Sequence, residues 1–147
     1  MFKKILVPTD GSKLSMKALD KAIELAKDAP AALTILNVIP PYPATVAGDG
    51  YVIDPMSGEG WEKVMKARAD KILADAAKRA KVKDVAVQLI SVRSALIYDG
   101  IISAAKKRKC DLIVMASHGR GGLSALLLGS ETTKVLTHSK IPVLVCR

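Results

Sequence analysis

The chain has 147 residues, half of them hydrophobic and 25% charged, which fits one ordinary domain with material for a proper core and argues against disorder. Aromatic residues make up only 3%, so the core is expected to be aliphatic, and a base-stacking surface for single-stranded nucleic acid is not expected. The net charge of +9 has two readings: a solvated lysine-rich surface on helices, or attraction to an anionic partner such as a nucleotide, nucleic acid or membrane.

Short β-branched runs alternate with longer segments of helical period. KKILVPTD reads as a buried strand that stops at Pro8 and Asp10, and Ser12 is placed to cap the helix that follows. Leu14, Ala18, Leu19, Ala22, Ile23 and Ala26 form one apolar face, and Pro30 closes the unit. ALTILNVIP is a second buried strand ending at Pro40. From Pro41 to Gly60 the chain is rich in Pro and Gly without a regular period, a loop of uncommon length. A long amphipathic helix is predicted from Glu59 to about Lys81, with Trp61, Met65, Ala69, Ile72, Leu73 and Ala76 inward.

DVAVQLISV predicts a third strand, ALIYDGIISAAKKRK a third helix despite Gly100, and CDLIVMAS a fourth strand. The cluster Lys106 to Lys109 ends that helix, where cations complement the negative end of the dipole. A glycine-rich loop follows, then a helix over Ser130 to Ser139 and a last strand from Ile141 to Arg147. Cys110 and Cys146 have no CxxC spacing, so neither a disulfide framework nor a zinc site is indicated; both fall in predicted strands and are expected as buried thiols. Three apolar residues before Pro8 are too few for a signal peptide, and no run approaches a membrane span. A soluble, cytoplasmic protein with no membrane-spanning segment and no membrane partner is expected.

The β-α-β-α-β-α-β-α-β order predicts an α/β fold: a doubly wound five-stranded parallel sheet, one domain over residues 1–147, with helices on both faces. In such sheets ligands bind beyond the carboxyl ends of the strands, where the strand order reverses. Three strand-end segments stand out: Pro8 to Ser12, Asn37 to Pro40, and the stretch MASHGRGGLSALLLGSE from Met115 to Glu131. In the last, Gly119, Gly121 and Gly122 permit positive φ and close backbone approach. Gly129 and Ser130 open the fourth helix, whose free amides and dipole favour a phosphate, with the hydroxyls of Ser130 and Thr132 as further donors. The competing reading is a tight turn with Ser130 as a helix cap. Asp10 is placed either to accept from ribose hydroxyls or to cap the first helix. His118 and Arg120 are within reach of phosphates or are solvated loop residues. Glu131 would repel phosphates unless a metal bridged them or its side chain turned outward.

ILVPTDGS, LNVIP and DLIVMASHGRGGLSALLLGSETTKVLTHSKIPVLVCR, taken in order, resemble the universal stress proteins over the whole chain. The family's nucleotide-binding branch carries Gly-x2-Gly-x9-Gly-Ser/Thr. Gly119, Gly129 and Ser130 match it, and Ala116 stands where the first glycine would be. The resemblance implies strand order 3-2-1-4-5 and a site for ATP, ADP or AMP. The adenine would lie near Val38, Pro8 and Asp10 would line the ribose side, and Gly119, Gly129, Ser130 and Thr132 would hold the phosphates, with magnesium or manganese held through them; Thr9, Met115, Ala116, His118, Arg120 and Glu131 complete the expected nucleotide-binding set. It also implies a homodimer through the last strand and a role as a switch or sensor in stress. A nucleotide-free dimeric interaction module of the same fold is the alternative. No general base is visible, so ATP hydrolysis is expected to be slow or absent. A specific nucleic-acid partner is not expected.

Overall fold

A computed structural model describes residues 1–42, 58–119 and 127–147. Arg120, Gly121, Gly122 and most of the segment from Pro41 to Gly60 lie outside the described residues; the end of that segment already belongs to a helix. The elements are β1 (Lys4–Pro8), α1 (Lys13–Asp28), β2 (Ala32–Ile39), α2 (Gly58–Val82), β3 (Val87–Arg93), α3 (Ile97–Lys107), β4 (Leu112–Ala116), α4 (Ser130–His138) and β5 (Val143–Cys146). The five strands form one sheet in the order β3-β2-β1-β4-β5, and each neighbouring pair is parallel. This is the expected architecture. Strand limits are narrower than the apolar runs: the last spans four residues rather than Ile141 to Arg147.

Alternating side chains send the strands' aliphatic residues to both faces. On one face Ile5, Val7, Leu33, Ile35, Leu112 and Val114 meet the apolar stripes of α1 and α2. On the other, Leu6, Leu36, Ile113 and Met115 meet Ile101 and Ile102 of α3 and Val135 of α4. Ser12 caps α1 as expected, its hydroxyl accepting from the Ser15 amide at 3.2 Å. Within α2 the buried positions are Ala69, Leu73, Ala76 and Ala80, while Trp61, Met65 and Ile72 are only half-buried.

Cys110 precedes β4 rather than lying in it; its amide closes the end of α3 on the Ala105 carbonyl. Cys146 is half-buried in the edge strand. Burial pushes both thiols up from their ordinary value, which disfavours the thiolate. Among the described residues no helix is long and apolar enough to cross a membrane.

Candidate functional site

The strand order reverses between β1 and β4, which leave the sheet centre toward opposite helix layers. A cleft of about 470 Å³ opens beyond their carboxyl ends, within the range of about 300–1,000 Å³ typical of small-molecule sites. Its lining includes twelve residues singled out in the sequence: Pro8, Thr9, Asp10, Val38, Met115, Ala116, His118, Gly119, Gly129, Ser130, Glu131 and Thr132. The thirteenth, Arg120, lies outside the described residues.

β2 runs past the end of β1. The Thr9 amide donates to the Leu36 carbonyl at 2.8 Å on the β1 side, and the Ser94 amide donates to the Ile39 carbonyl at 3.2 Å on the β3 side. Because successive residues of a strand aim their peptide groups to opposite sides, Val38 turns its amide and carbonyl toward β1, beyond Pro8 and into the cleft. One donor and one acceptor there match the edge of a planar heterocycle.

The Asp10 carboxylate bends back on its own loop, with Oδ1 accepting from the Ser12 amide at 2.9 Å. Its other oxygen, Oδ2, faces Gly119, where an added Cβ would stand 2.8 Å away. Thr9 is fixed by its neighbours. Its hydroxyl lies 2.9 Å from that of Ser15, and its carbonyl accepts from Asn37 Nδ2 at 2.8 Å.

The glycines of the motif are required by proximity rather than by φ. Gly129 caps α4 with φ −63° and ψ 155°, and a Cβ there would stand 2.9 Å from His118 Cα. Gly119 does not use the positive φ that a glycine permits; among the described glycines only Gly11 has it, at 79°. Ala116 ends β4 in ordinary extended backbone, paired with Cys146, and its methyl is buried. Its backbone therefore does not call for the missing first glycine.

Several side chains are already engaged. The Thr132 hydroxyl, expected as a phosphate donor, gives its hydrogen to the Ala116 carbonyl at 2.9 Å inside the protein. It ties α4 to β4 and has no second hydrogen to offer. Glu131 turns toward α3: Oε2 accepts from the Tyr98 amide at 2.9 Å. Leu96 provides α3 with no side-chain cap, so the carboxylate fills the N-terminal vacancy of a neighbouring helix. The His118 ring shares a hydrogen bond with the Ser117 hydroxyl, Nδ1 to Oγ 3.1 Å. Ser130 is the first residue of α4, with Gly129 rather than Ser130 as its cap. Among the described residues no carbonyl takes the amides of Ser130 or Glu131.

The sequence reading missed the apolar wall. Ile97 and Ile101 of α3, with Leu127 and Leu128 before α4, line the cleft. Leu126 to Leu128 is conspicuous as an apolar patch in a loop, whereas only the tertiary fold brings the first turns of α3 over the end of β2. No group of three or more His, Cys, Asp or Glu converges on a metal-sized site among the described residues.

Comparison with known proteins gives a consistent result. The family model described as universal stress protein family matches residues 1–147. The universal stress protein YxiE of Bacillus subtilis is 38% identical over 150 residues, covering 100% of both chains. Among solved structures, that of MJ0577 superposes with a TM-score of 0.82 at 27% identity, covering 99% of this chain and 96% of that one. MJ0577 is a universal stress protein of Methanocaldococcus jannaschii. A universal stress protein in complex with cAMP superposes with a TM-score of 0.73 at 29% identity, covering 99% and 97%. The chain described here belongs to the universal stress protein family.

Proposed function

We propose that the chain binds an adenine nucleotide, ATP foremost, in the cleft between β1 and β4, and acts as a cytoplasmic, dimeric switch in a stress response. The observation that carries the binding reading is the first turn of α4. Its Ser130 and Glu131 amides have no partner among the described residues, and it opens on a cleft that also holds Asp10 and Val38. Free amides at the positive end of a helix suit phosphate oxygens. Val38 would hold the adenine edge, Ile97 and Ile101 would cover its face, and Asp10 would accept from the ribose. The cAMP complex of a relative supports the same chemistry. ADP and AMP fit the same groups. The residues fit a magnesium or manganese ion as a guest of the phosphates, which would supply its oxygen ligands, because the described lining offers no cage of carboxylates and imidazoles.

Binding rather than turnover is the favoured activity. Hydrolysis needs a group free to orient water, and the Glu131 carboxylate and the His118 Nδ1 are engaged by the Tyr98 amide and the Ser117 hydroxyl. The dimer would form through β5, an edge strand whose Leu144 is exposed; an apolar edge invites pairing with a second copy. A nucleotide-free dimeric module is the second reading. It is favoured by one observation: close contact with Asp10 and His118 is enough to explain both motif glycines.

Calorimetric titration with ATP, ADP, AMP and GTP, with and without magnesium, decides between the two. Binding is expected for the adenine nucleotides. Gly119→Ala, which pushes the Asp10 carboxylate out of place, is expected to weaken it at least several-fold with the fold intact. No heat and no thermal stabilisation by any adenine nucleotide would leave only the second reading.

A further inference from the structure

The end of the sheet opposite the cleft carries a feature that nucleotide binding does not use. In a parallel sheet with returning helices, all strands begin and all helices finish at this end. There α2 ends at Val82 and α3 at Lys107. Around these two ends stand Lys81, Lys83, Lys106, Lys107, Arg108 and Lys109, all exposed. Among the described residues none of the six is in an ion pair with a carboxylate. Arg108 reaches the start of β3, donating to Gln88 Oε1 at 3.5 Å; α2 and α3 finish on opposite faces of the sheet but at this same end.

Among the described residues Glu24, itself paired with Lys21, lies within electrostatic reach of Lys83, and the other acids at this end leave the cluster largely unneutralised. Asp111 holds the amides of Lys3 and Lys4 at 2.9 Å each, Asp28 adjoins Lys27, and Asp84 stands alone between Lys83 and β3. Complementing helix dipoles does not account for it either: two helix ends bring about −0.5 each against six positive charges. Apolar side chains are exposed among the cations. Val82 is 80% exposed between Lys81 and Lys83, and Phe2 is 40% exposed ahead of β1.

We infer that this basic end is a docking surface for an anionic membrane leaflet, the lysines meeting acidic headgroups while Phe2 and Val82 enter the interface. Five of the six cations are lysines, point charges without the guanidinium fork that reads bases and grips phosphates in pairs. Among the described residues Phe2 is the one aromatic ring at this end, and a single ring makes no stacking platform. Exposed apolar groups among lysines are what an acyl boundary recognises and a nucleic-acid backbone does not. This mode lies on the surface only and needs no spanning helix, and none is present among the described residues. Docked this way, the protein holds its cleft away from the lipid, so nucleotide and membrane do not compete for space.

The test is co-sedimentation of the full chain with vesicles of phosphatidylcholine alone and of phosphatidylcholine with phosphatidylserine in a seven-to-three ratio, at about 0.15 M salt. Sedimentation is expected with the anionic vesicles only, and release at high salt. The triple charge reversal K106E/K107E/K109E is expected to lower partitioning by about 100-fold or more. The double variant Phe2→Ser, Val82→Ser, which keeps every charge, is expected to lower it several-fold. Circular dichroism and the unfolding midpoint verify that both variants fold. Equal partitioning to neutral and anionic vesicles, or none to either, overturns the inference. So does a serine variant that partitions like the parent, or tighter binding to duplex DNA than to the anionic vesicles at the same salt. None of these outcomes bears on the cleft, whose titration is independent.

Discussion

Ser130→Pro isolates the amide on which phosphate binding would depend. Ser130 is the first helical residue of α4, the position at which proline is best tolerated, because the amide it lacks has no intrahelical partner. The preceding residue must be extended, and Gly129 already has φ −63° and ψ 155°. The substitution therefore removes one amide hydrogen and one hydroxyl while sparing the helix. Ser130→Ala removes the hydroxyl alone, so the difference between the two variants is the amide. A hydrogen bond to a charged group contributes about 1.5–3 kcal/mol. At about 1.4 kcal/mol per tenfold, its loss raises the Kd for ATP by about 10- to 150-fold relative to the alanine variant. Calorimetry with ATP and magnesium reads this directly, and the unfolding midpoint is expected to stay close to that of the parent. Equal affinity of the proline and alanine variants would refute the placement of the phosphates on this turn.

Thr132→Val keeps the shape of the side chain but leaves the buried Ala116 carbonyl without its donor. It is expected to cost about 1–3 kcal/mol of stability in urea unfolding and to leave ATP affinity nearly unchanged; the opposite pattern would mean that the hydroxyl serves the ligand. Gly100→Ala gains about 1 kcal/mol in helix propensity. However, its Cβ would stand 2.9 Å from Ser94 Cβ and 3.1 Å from Val38 Cγ1, and overpacking of that kind costs about 1–3 kcal/mol. Unfolding at lower urea is expected, and a gain in stability would show that α3 can lift off β2 freely. The Asp111 carboxyl is drawn in two directions: burial raises its pKa, but the amides of Lys3, Lys4 and Asp111 itself outweigh this and hold it below the usual carboxylate range. Its contribution is therefore present above the unfolded-state value of about 3.9 and lost as pH falls through the folded-state value. The parent is expected to be more stable than Asp111→Asn at pH 7, with the gap closing as pH falls below about 4; a gap independent of pH would contradict this.

The sheet was legible because β-branched runs and helical periods alternate without a break, and that alternation admits few topologies. Its carboxyl edge was legible too: strand ends with Pro8, Asp10 and a run of glycines point to the same place. The work of each residue was less so. Gly119 permitted unusual φ and Gly129 stood as the opening of a helix, yet at both positions it is a neighbour, Asp10 or His118, that crowds out a side chain, and only tertiary packing reveals such a neighbour. Thr132 and Glu131 read as cleft chemistry by position, but a hydroxyl or carboxylate serves whichever unpaired group is nearest. Here those groups are the Ala116 carbonyl and the Tyr98 amide. Ile97 and Ile101 had the spacing of an ordinary core face, so no local signal distinguished the turn that walls the cleft from the rest of α3. Cys110 looked like the first residue of a strand and instead closes a helix, since apolar character alone does not separate the two roles.

Glu131 has a mechanical consequence. Its backbone lies in the opening turn of one wall of the crevice, and its carboxylate grips the opening turn of the other at the Tyr98 amide. The two helices are thereby tied together at their opening turns, as a crosspiece ties the legs of a trestle.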